Sequence, residues 1–401
     1  MTSYFEQKNW EPKLYQRLND LIERHKQPLD LPAEERDYVI FDCDDTTIYS
    51  DIETESLYHC LENLNFHWPP ETFEEVIRSG DFDYSKALDP HHPQLTGDQL
   101  VQDILEAYRE LYDLYISREQ AERPDLSKIH QSEAFKNFFV KYIKFYDLQW
   151  AQAYEKPGIS NAVAFFAGHS RSELTQLILD CSEEFSQAPI EEKIVFSSRT
   201  KRGQTGLLSV KTRKGMRFPE EMKNLYDALQ DQGITVYVVS GSPKELVAPP
   251  LGRHFNVPYN QVYSMRYAFQ EGRMTEYFSP HHPTTLGHGK VSTIDERIIP
   301  KHQGRQPLAV FGNSSGDYDM MTLYEEMELG VFFNRNIPDK SQAIVQEAVE
   351  TFAQKQPKYM LQGIDENTGT FRPSQATIPL GESESLLYAR DEEVRNKYSL
   401  S

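Results

Sequence analysis

Two aspartates directly follow a short apolar run in the first fifty residues of the chain. The run from Tyr38 to Phe41 consists of β-branched and aromatic residues, which is typical of a buried strand. Asp42 and Asp44 come next, with one residue between them. Open α/β sheets bind ligands at the carboxyl ends of their strands, so the pattern predicts two carboxylates at such a crevice. By itself the segment is equally compatible with an ordinary turn, because aspartate is common in turns.

Two later strand patterns also end in polar residues. The run from Ile234 to Val239 leads into Ser240-Gly241-Ser242-Pro243, and Glu245 stands three residues after Ser242. This spacing predicts a capping box at the start of a helix, whose free amides would form an anion site.

The last strand pattern precedes another polar segment. The run from Leu308 to Phe311 leads into Gly312-Asn313, and Asp317 follows four residues later. Between the two segments, Lys290 opens a helical pattern that continues through Ile294. A lysine in this position would most often be a solvated surface residue, and only its place in the series suggests a role at the site.

The order of these four segments resembles that of the haloacid dehalogenase superfamily, and the resemblance covers about residues 37–335. It implies an α/β fold with a Rossmann-like core and a parallel sheet. It also implies that Asp42 is the attacking nucleophile and that Asp44 is the general acid and base.

The same resemblance implies the remaining site residues. Contacts to phosphate would come from Thr46, Ser240, Gly241 and Lys290. Magnesium would be bound by Asp42, the backbone carbonyl of Asp44, Asn313 and Asp317, and oxygen donors are the ligands that this cation prefers. The family often has Asp where this chain has Asn313, so either Asn313 or Asp317 could carry more of the metal contact.

An insertion is expected after the first motif, because roughly 200 residues separate Asp42 from Ser240, far more than a direct βαβ crossover needs. The patterns in this stretch predict helices over residues 98–116, 133–154 and 172–180, with Thr96 as one N-cap and a capping box from Ser170 to Glu173. Such an insert resembles the helical cap of the phosphoserine-phosphatase-like branch, where the cap selects the substrate. We therefore predict a core of residues 1–49 and 215–345, a helical cap of residues 50–214, and a C-terminal extension of residues 346–401.

Two further segments give local predictions. The stretch from Val262 to Phe278, with Glu271-Gly272 inside it, predicts a β-hairpin. Residues from about Gln362 onward are polar and predict a tail that wraps the surface.

The composition restricts the partners. The net charge of -20 makes nucleic acid an unfavourable partner, since both would be negatively charged. No apolar run approaches the length that spans a bilayer, and the first residues do not resemble a signal peptide. The chain has only three cysteines, which is typical of a cytoplasmic protein. Their spacing does not match that of a structural zinc site.

The sequence thus predicts a magnesium-dependent phosphomonoester hydrolase that acts on a small phosphorylated metabolite through an aspartyl-phosphate. An aromatic run at helical spacing, from Phe135 to Tyr154, is expected to be mostly cap core, with a few rings free to face a cationic head group. The chain also resembles phosphorylcholine phosphatases, so phosphocholine and phosphoserine are candidate substrates. A phosphotransferase and a non-catalytic protein that binds metal and phosphate on the same scaffold stay open as alternatives.

Overall fold

The structure, a computed structural model, describes residues 2–80, 82–87, 95–155, 164–390 and 396, without the side chains of residues 153–155. The strands are β1 Tyr38–Phe41, β2 Glu191–Phe196, β3 Ser209–Lys214, β4 Thr235–Val239, β5 Val262–Tyr263, β6 Tyr267–Gln270, β7 Arg273–Phe278, β8 Ala309–Gly312, β9 Leu329–Asn334, β10 Tyr359–Asp365 and β11 Thr370–Arg372. The α-helices are α1 Pro12–His25, α2 Ile52–Asn63, α3 Pro70–Ile77, α4 Gly97–Leu111, α5 Leu126–His130, α6 Glu133–Glu155, α7 Arg171–Gln187, α8 Glu220–Asp231, α9 Lys244–Phe255, α10 His288–Arg297, α11 Tyr318–Thr322 and α12 Gln342–Thr351.

A seven-stranded sheet in the order β11-β10-β9-β8-β1-β4-β5 forms the centre of the molecule. Neighbouring strands are parallel, except that β10 and β11 are antiparallel. Strand β1 lies between β4 and β8, with Val39 opposite both Val236 and Ala309. The carboxyl ends of these three strands therefore lie side by side, and this confirms the predicted α/β fold with a parallel sheet.

The sheet is buried on both faces because helices cover each side. Val39 and Phe41 belong to one hydrophobic cluster, whereas Tyr38 and Ile40 belong to another, as the alternation of side chains along a strand requires. Helices α1, α8 and α9 contribute to the first cluster, and α10, α11 and α12 contribute to the second. This double burial explains why the strands are continuous apolar runs.

The insertion between β1 and β4 contains helices α2 to α7 and the antiparallel pair β2–β3. Both predicted N-caps are present, because Thr96 forms a capping box with Gln99 and Ser170 forms one with Glu173. The predicted helix over residues 98–116 is α-helical only to Leu111 and continues as a π-helical turn. The fold thus includes the expected helical cap, while the exact domain boundaries stay a prediction.

The expectation of a surface-wrapping tail from Gln362 is wrong for the segment that forms β10 and β11. Strand β10 pairs with β9 inside the main sheet, and β11 continues that sheet at its edge. Gln362 is polar but fully buried. Its side-chain amide can be buried because it forms hydrogen bonds with the backbone of residues 9, 11, 363 and 372. Residues 391–395 and 397–401 of the predicted extension lie outside the described residues.

The predicted hairpin is shorter than expected. Strands β6 and β7 pair antiparallel around Glu271-Gly272, but Val262–Tyr263 forms β5 at the edge of the main sheet. Among the described helices, none combines the length and the apolar character that crossing a bilayer requires.

Candidate active site

A cavity of about 350 Å³ opens at the carboxyl ends of β1, β4 and β8. Its lining brings together five of the predicted site residues, namely Asp42, Asp44, Gly241, Lys290 and Asn313. It also includes residues outside the set of predicted site residues, namely Asp45, Asp51, Glu53, Thr54, Tyr146, Trp150, Ser242, Leu286, Gly287, Ser314, Gly316 and Ile337.

Lys290 links the first and last motifs at the floor of this cavity. Its Nζ donates to Asp42 Oδ1 at 2.6 Å and to Asp317 Oδ1 at 2.7 Å. Burial opposes the charge of the lysine, but Asp317 and Asp42 outweigh that effect and raise the pKa of Lys290. Burial and the Asp317 charge raise the pKa of Asp42, and Lys290 counteracts them. A permanent cation is therefore held against the proposed nucleophile.

Asp44 is oriented by two donors. Its Oδ1 accepts from the amide of Ile52 at 2.9 Å, and its Oδ2 accepts from Ser242 Oγ at 2.6 Å. Burial and the charge of Asp51 raise the pKa of Asp44 well above its usual range, although both hydrogen bonds oppose the shift. A carboxyl group whose pKa is raised in this way is suited to donate a proton to a leaving group.

The structure contradicts the predicted capping box at Ser242. Helix α9 begins at Lys244, with Pro243 as its N-cap and no side-chain cap. The hydroxyl of Ser242 donates to Asp44, and the carboxylate of Glu245 accepts from Arg266 and from the amide of Tyr267. Each side chain has a longer-range partner, which a local spacing rule could not reveal.

Asp317 lies deeper than Asn313. It is fully buried, and its Oδ2 accepts from the amides of Asn313 and Ser314 at 3.0 and 3.3 Å while Oδ1 accepts from Lys290. Asn313 lines the cavity, and its Oδ1 accepts from Thr46 Oγ1 at 3.1 Å. The geometry favours Asn313 as the side chain that faces a bound ion, with Asp317 orienting the loop and Lys290.

Two predicted phosphate contacts do not line the cavity. Thr46 is buried against Asn313, and Ser240 is fully buried with its Oγ accepting from the amide of Ser242 at 3.1 Å. Gly241 does line the cavity, and a Cβ there would lie 3.2 Å from Leu286 Cδ2. The segment therefore presents backbone and the hydroxyl of Ser242 more directly than the hydroxyl of Ser240.

The oxygen atoms available in the cavity are of the kind that magnesium prefers as ligands. Asp42, Asn313 and the backbone near Asp44 offer hard oxygen ligands, and magnesium commonly keeps several water molecules besides one or two carboxylates. The described residues contain no cluster of three or more His, Cys, Asp or Glu side chains arranged to hold a metal ion.

The cap contributes one wall of the cavity. Glu53 of α2 is buried, and its Oε1 accepts from Tyr146 at 2.6 Å and from Trp150 at 2.9 Å, while Oε2 is buried without a hydrogen-bond partner. Burial and the charge of Asp51 raise the pKa of Glu53 to about 8. Tyr146 and Trp150 belong to the aromatic run, so some of its members do face the cavity; the side chain of Tyr154 lies outside the described residues.

Residues 205–322 match the family model described as haloacid dehalogenase-like hydrolase. The matched range includes Ser240, Lys290, Asn313 and Asp317, and it confirms the predicted resemblance over this part of the chain. None of the curated proteins compared with the chain matches it.

Several solved structures are similar to this chain. A conserved functionally unknown protein from Anaerococcus prevotii DSM 20548 has a TM-score of 0.82 and 23% identity, over 96% of this chain and 100% of that one. This likeness shows that the two share a fold. A phosphoserine phosphohydrolase-like protein from Francisella tularensis subsp. tularensis SCHU S4 (TM-score 0.33, 11% identity, 76% of this chain and 91% of that one) and a cytosolic 5'-nucleotidase IIIB bound to cytidine (0.38, 13%, 87% and 85%) are more distant.

Proposed function

Because the chain carries a haloacid dehalogenase-like hydrolase domain, we propose that it hydrolyses phosphate monoesters of small metabolites, with Asp42 as nucleophile and magnesium as cofactor. The observation that carries the proposal is the convergence of Asp42, Asp44, Lys290 and Asn313 on one cavity. These residues come from the ends of the neighbouring strands β1 and β8 and from the start of helix α10, and each has a distinct role in phosphoryl transfer.

The chemistry follows from the positions of these groups. Asp42 attacks phosphorus and the bond to the leaving oxygen breaks, while Asp44 gives that oxygen a proton. Asp44 then takes a proton from water as the water attacks the aspartyl-phosphate, which returns Asp42 and releases phosphate. Lys290 offsets negative charge near Asp42 during both steps. When bound, magnesium neutralises charge on the phosphoryl group.

A magnesium-dependent assay tests this proposal. The wild-type protein should release phosphate from p-nitrophenyl phosphate only when magnesium is present. Asp42→Asn keeps the shape of the side chain but loses the attacking charge, so its activity should fall by about four orders of magnitude or more while the fold is retained. Activity near the wild-type level in that variant would contradict the proposal, and transfer of phosphate to an added alcohol instead of water would indicate a phosphotransferase.

The cap wall favours a substrate with a cationic head group. Glu53, Tyr146 and Trp150 combine a carboxyl group with two aromatic rings, and among the described lining residues Lys290 alone is basic, against five carboxyl side chains. Phosphocholine and phosphoserine are candidates of this type. A cationic group beside the free Oε2 of Glu53 would offset the burial that raises the pKa of this carboxyl, and so favour its charged form.

A panel of phosphate esters tests this preference. Glu53→Gln should raise KM for phosphorylated amines and leave KM for p-nitrophenyl phosphate nearly unchanged. Glu55→Gln is the matched control, since Glu55 is buried on the same helix but bonds Ser50 and does not line the cavity. Equal KM shifts for cationic and neutral esters would contradict the assignment of Glu53.

A further inference from the structure

A buried arginine connects the C-terminal part of the sheet to the loop that carries the aspartates. Arg335 follows β9 directly, and its side chain is only 4% exposed. Its guanidinium forms a close ion pair with Asp45 Oδ1, and its Nε donates to Glu366 Oε1 at 2.5 Å. Asp45 follows the proposed acid Asp44, and Glu366 follows β10. One side chain therefore joins the ends of two strands to the first motif.

The far end of the same loop is held by the same cluster. The ring centroid of Tyr49 lies 5.1 Å from the guanidinium carbon of Arg335 and 5.1 Å from that of Arg213. The hydroxyl of Tyr49 donates to the backbone oxygen of Glu366 at 2.7 Å. The loop is thus tied to the β10 end at both Asp45 and Tyr49.

The loop conformation depends on this anchoring. Asp45 has a φ of 53°, in the left-handed region that residues other than glycine seldom adopt. Its amide donates to the backbone oxygen of Ser50 at 3.2 Å, and its Oδ1 accepts from the amide of Ser50 at 2.9 Å. A backbone in such a conformation persists where its surroundings over-determine it.

We infer that Arg335 is a positioning residue for the reaction: by pairing with Asp45, it fixes the backbone from which Asp44 reaches the leaving group. The inference rests on the proposed function, since it assigns Arg335 an effect on the proton transfer by Asp44. It also gives the segment after β10 a role at the active site, because Glu366 completes the pairing of Arg335.

Arg335→Met removes the charge at similar length and should lower kcat on the order of 100-fold, because small misplacements of a catalytic group have effects of this size. The loss should be larger for alkyl phosphates than for p-nitrophenyl phosphate, whose leaving group needs less protonation. Arg305→Met is the matched control, since Arg305 pairs with Asp37 at the opposite end of β1. That variant should retain wild-type kcat for both esters.

Hydrogen exchange gives a second measurement that does not depend on activity. Amides of residues 43–51 should exchange faster in Arg335→Met than in the wild type or Arg305→Met. If Arg335→Met does not fold, the double variant Asp45→Asn/Arg335→Met removes both charges and serves in its place. Exchange as slow as in the wild type, or equal losses of kcat for the two esters, would overturn the inference. If the wild type hydrolyses no ester, the proposed function fails, and the exchange rates alone still decide whether Arg335 fixes the loop.

Discussion

At the scale of single residues, Asp44 has the environment of an acid rather than of a second nucleophile. It is half-buried, its pKa is raised, and Ser242 and the amide of Ile52 fix both of its oxygens. Burial raises the pKa of Asp42 as well, but Asp42 is held against the cation of Lys290, which opposes that shift. Two carboxyl groups with such different surroundings are suited to two different roles.

A leaving-group series tests the role of Asp44. Asp44→Asn should slow hydrolysis of alkyl phosphates by roughly 100-fold or more, the usual range for a general acid, because their alkoxide leaving groups need a proton. The loss should be smaller for p-nitrophenyl phosphate, whose phenol is acidic. The readout is the ratio of kcat values for the two esters, and an unchanged ratio would indicate that Asp44 is only structural.

The metal ligands give a second prediction at this scale. Asn313→Asp adds an anionic ligand of the same length and keeps the oxygen that Thr46 bonds, so magnesium should bind more tightly. Asp317→Asn should raise the magnesium concentration needed for activity, because it disturbs Lys290 and the loop amides that Asp317 holds.

A magnesium titration of both variants gives the half-activating concentrations. Ser292→Ala, on the exposed side of α10, is a suitable control because its hydroxyl bonds only the backbone of its own helix. If neither Asn313→Asp nor Asp317→Asn moves the half-activating concentration, this segment does not bind the metal.

At the scale of elements, Gly312 at the end of β8 allows the approach of Asp317. A Cβ at Gly312 would lie 2.6 Å from Asp317 Cβ, closer than such atoms come in folded proteins. Gly312→Ala should therefore push Asp317 away from Lys290 and lower kcat by about tenfold or more, since catalytic geometry tolerates little displacement.

Gly252→Ala in α9 is the matched control for this prediction. A Cβ there would be 3.7 Å from the nearest atom, an ordinary contact, and alanine favours a helix. Its activity should equal that of the wild type. Similar kcat values for both alanine variants would mean that the spacing between Gly312 and Asp317 does not matter for catalysis.

Elements with strong local signals were predictable from the sequence. The capping box of helix α7 is visible in the sequence as Ser170 and Glu173, and strand β1 is a continuous apolar run. Strand β10 was not predictable, because the partners that satisfy Gln362 are distant in sequence. The contact between Ser242 and Asp44 was missed for the same reason, since 198 positions separate the two residues.

At the scale of the whole molecule, the sheet and the insertion meet at one cavity. The ends of the strands supply Asp42, Asp44 and Asn313, helix α10 supplies Lys290, and the cap supplies Glu53, Tyr146 and Trp150. Chemistry and substrate preference are thus assigned to different parts of the chain. The chemistry could be predicted from the order of the motifs in the sequence. The substrate preference could not, because it depends on how helices α2 and α6 pack, which no local pattern describes.

The central claim is that a phosphoryl group is transferred to Asp42, and mass spectrometry of the quenched protein tests it most directly. Asp44→Asn should slow breakdown of the intermediate, so the peptide with Asp42 should gain one phosphoryl group during turnover of p-nitrophenyl phosphate. Hydroxylamine, which cleaves acyl phosphates, should remove that group, and Asp42→Asn should never acquire it. Undiminished hydrolysis by Asp42→Asn, with no phosphorylated peptide in Asp44→Asn, would contradict the account.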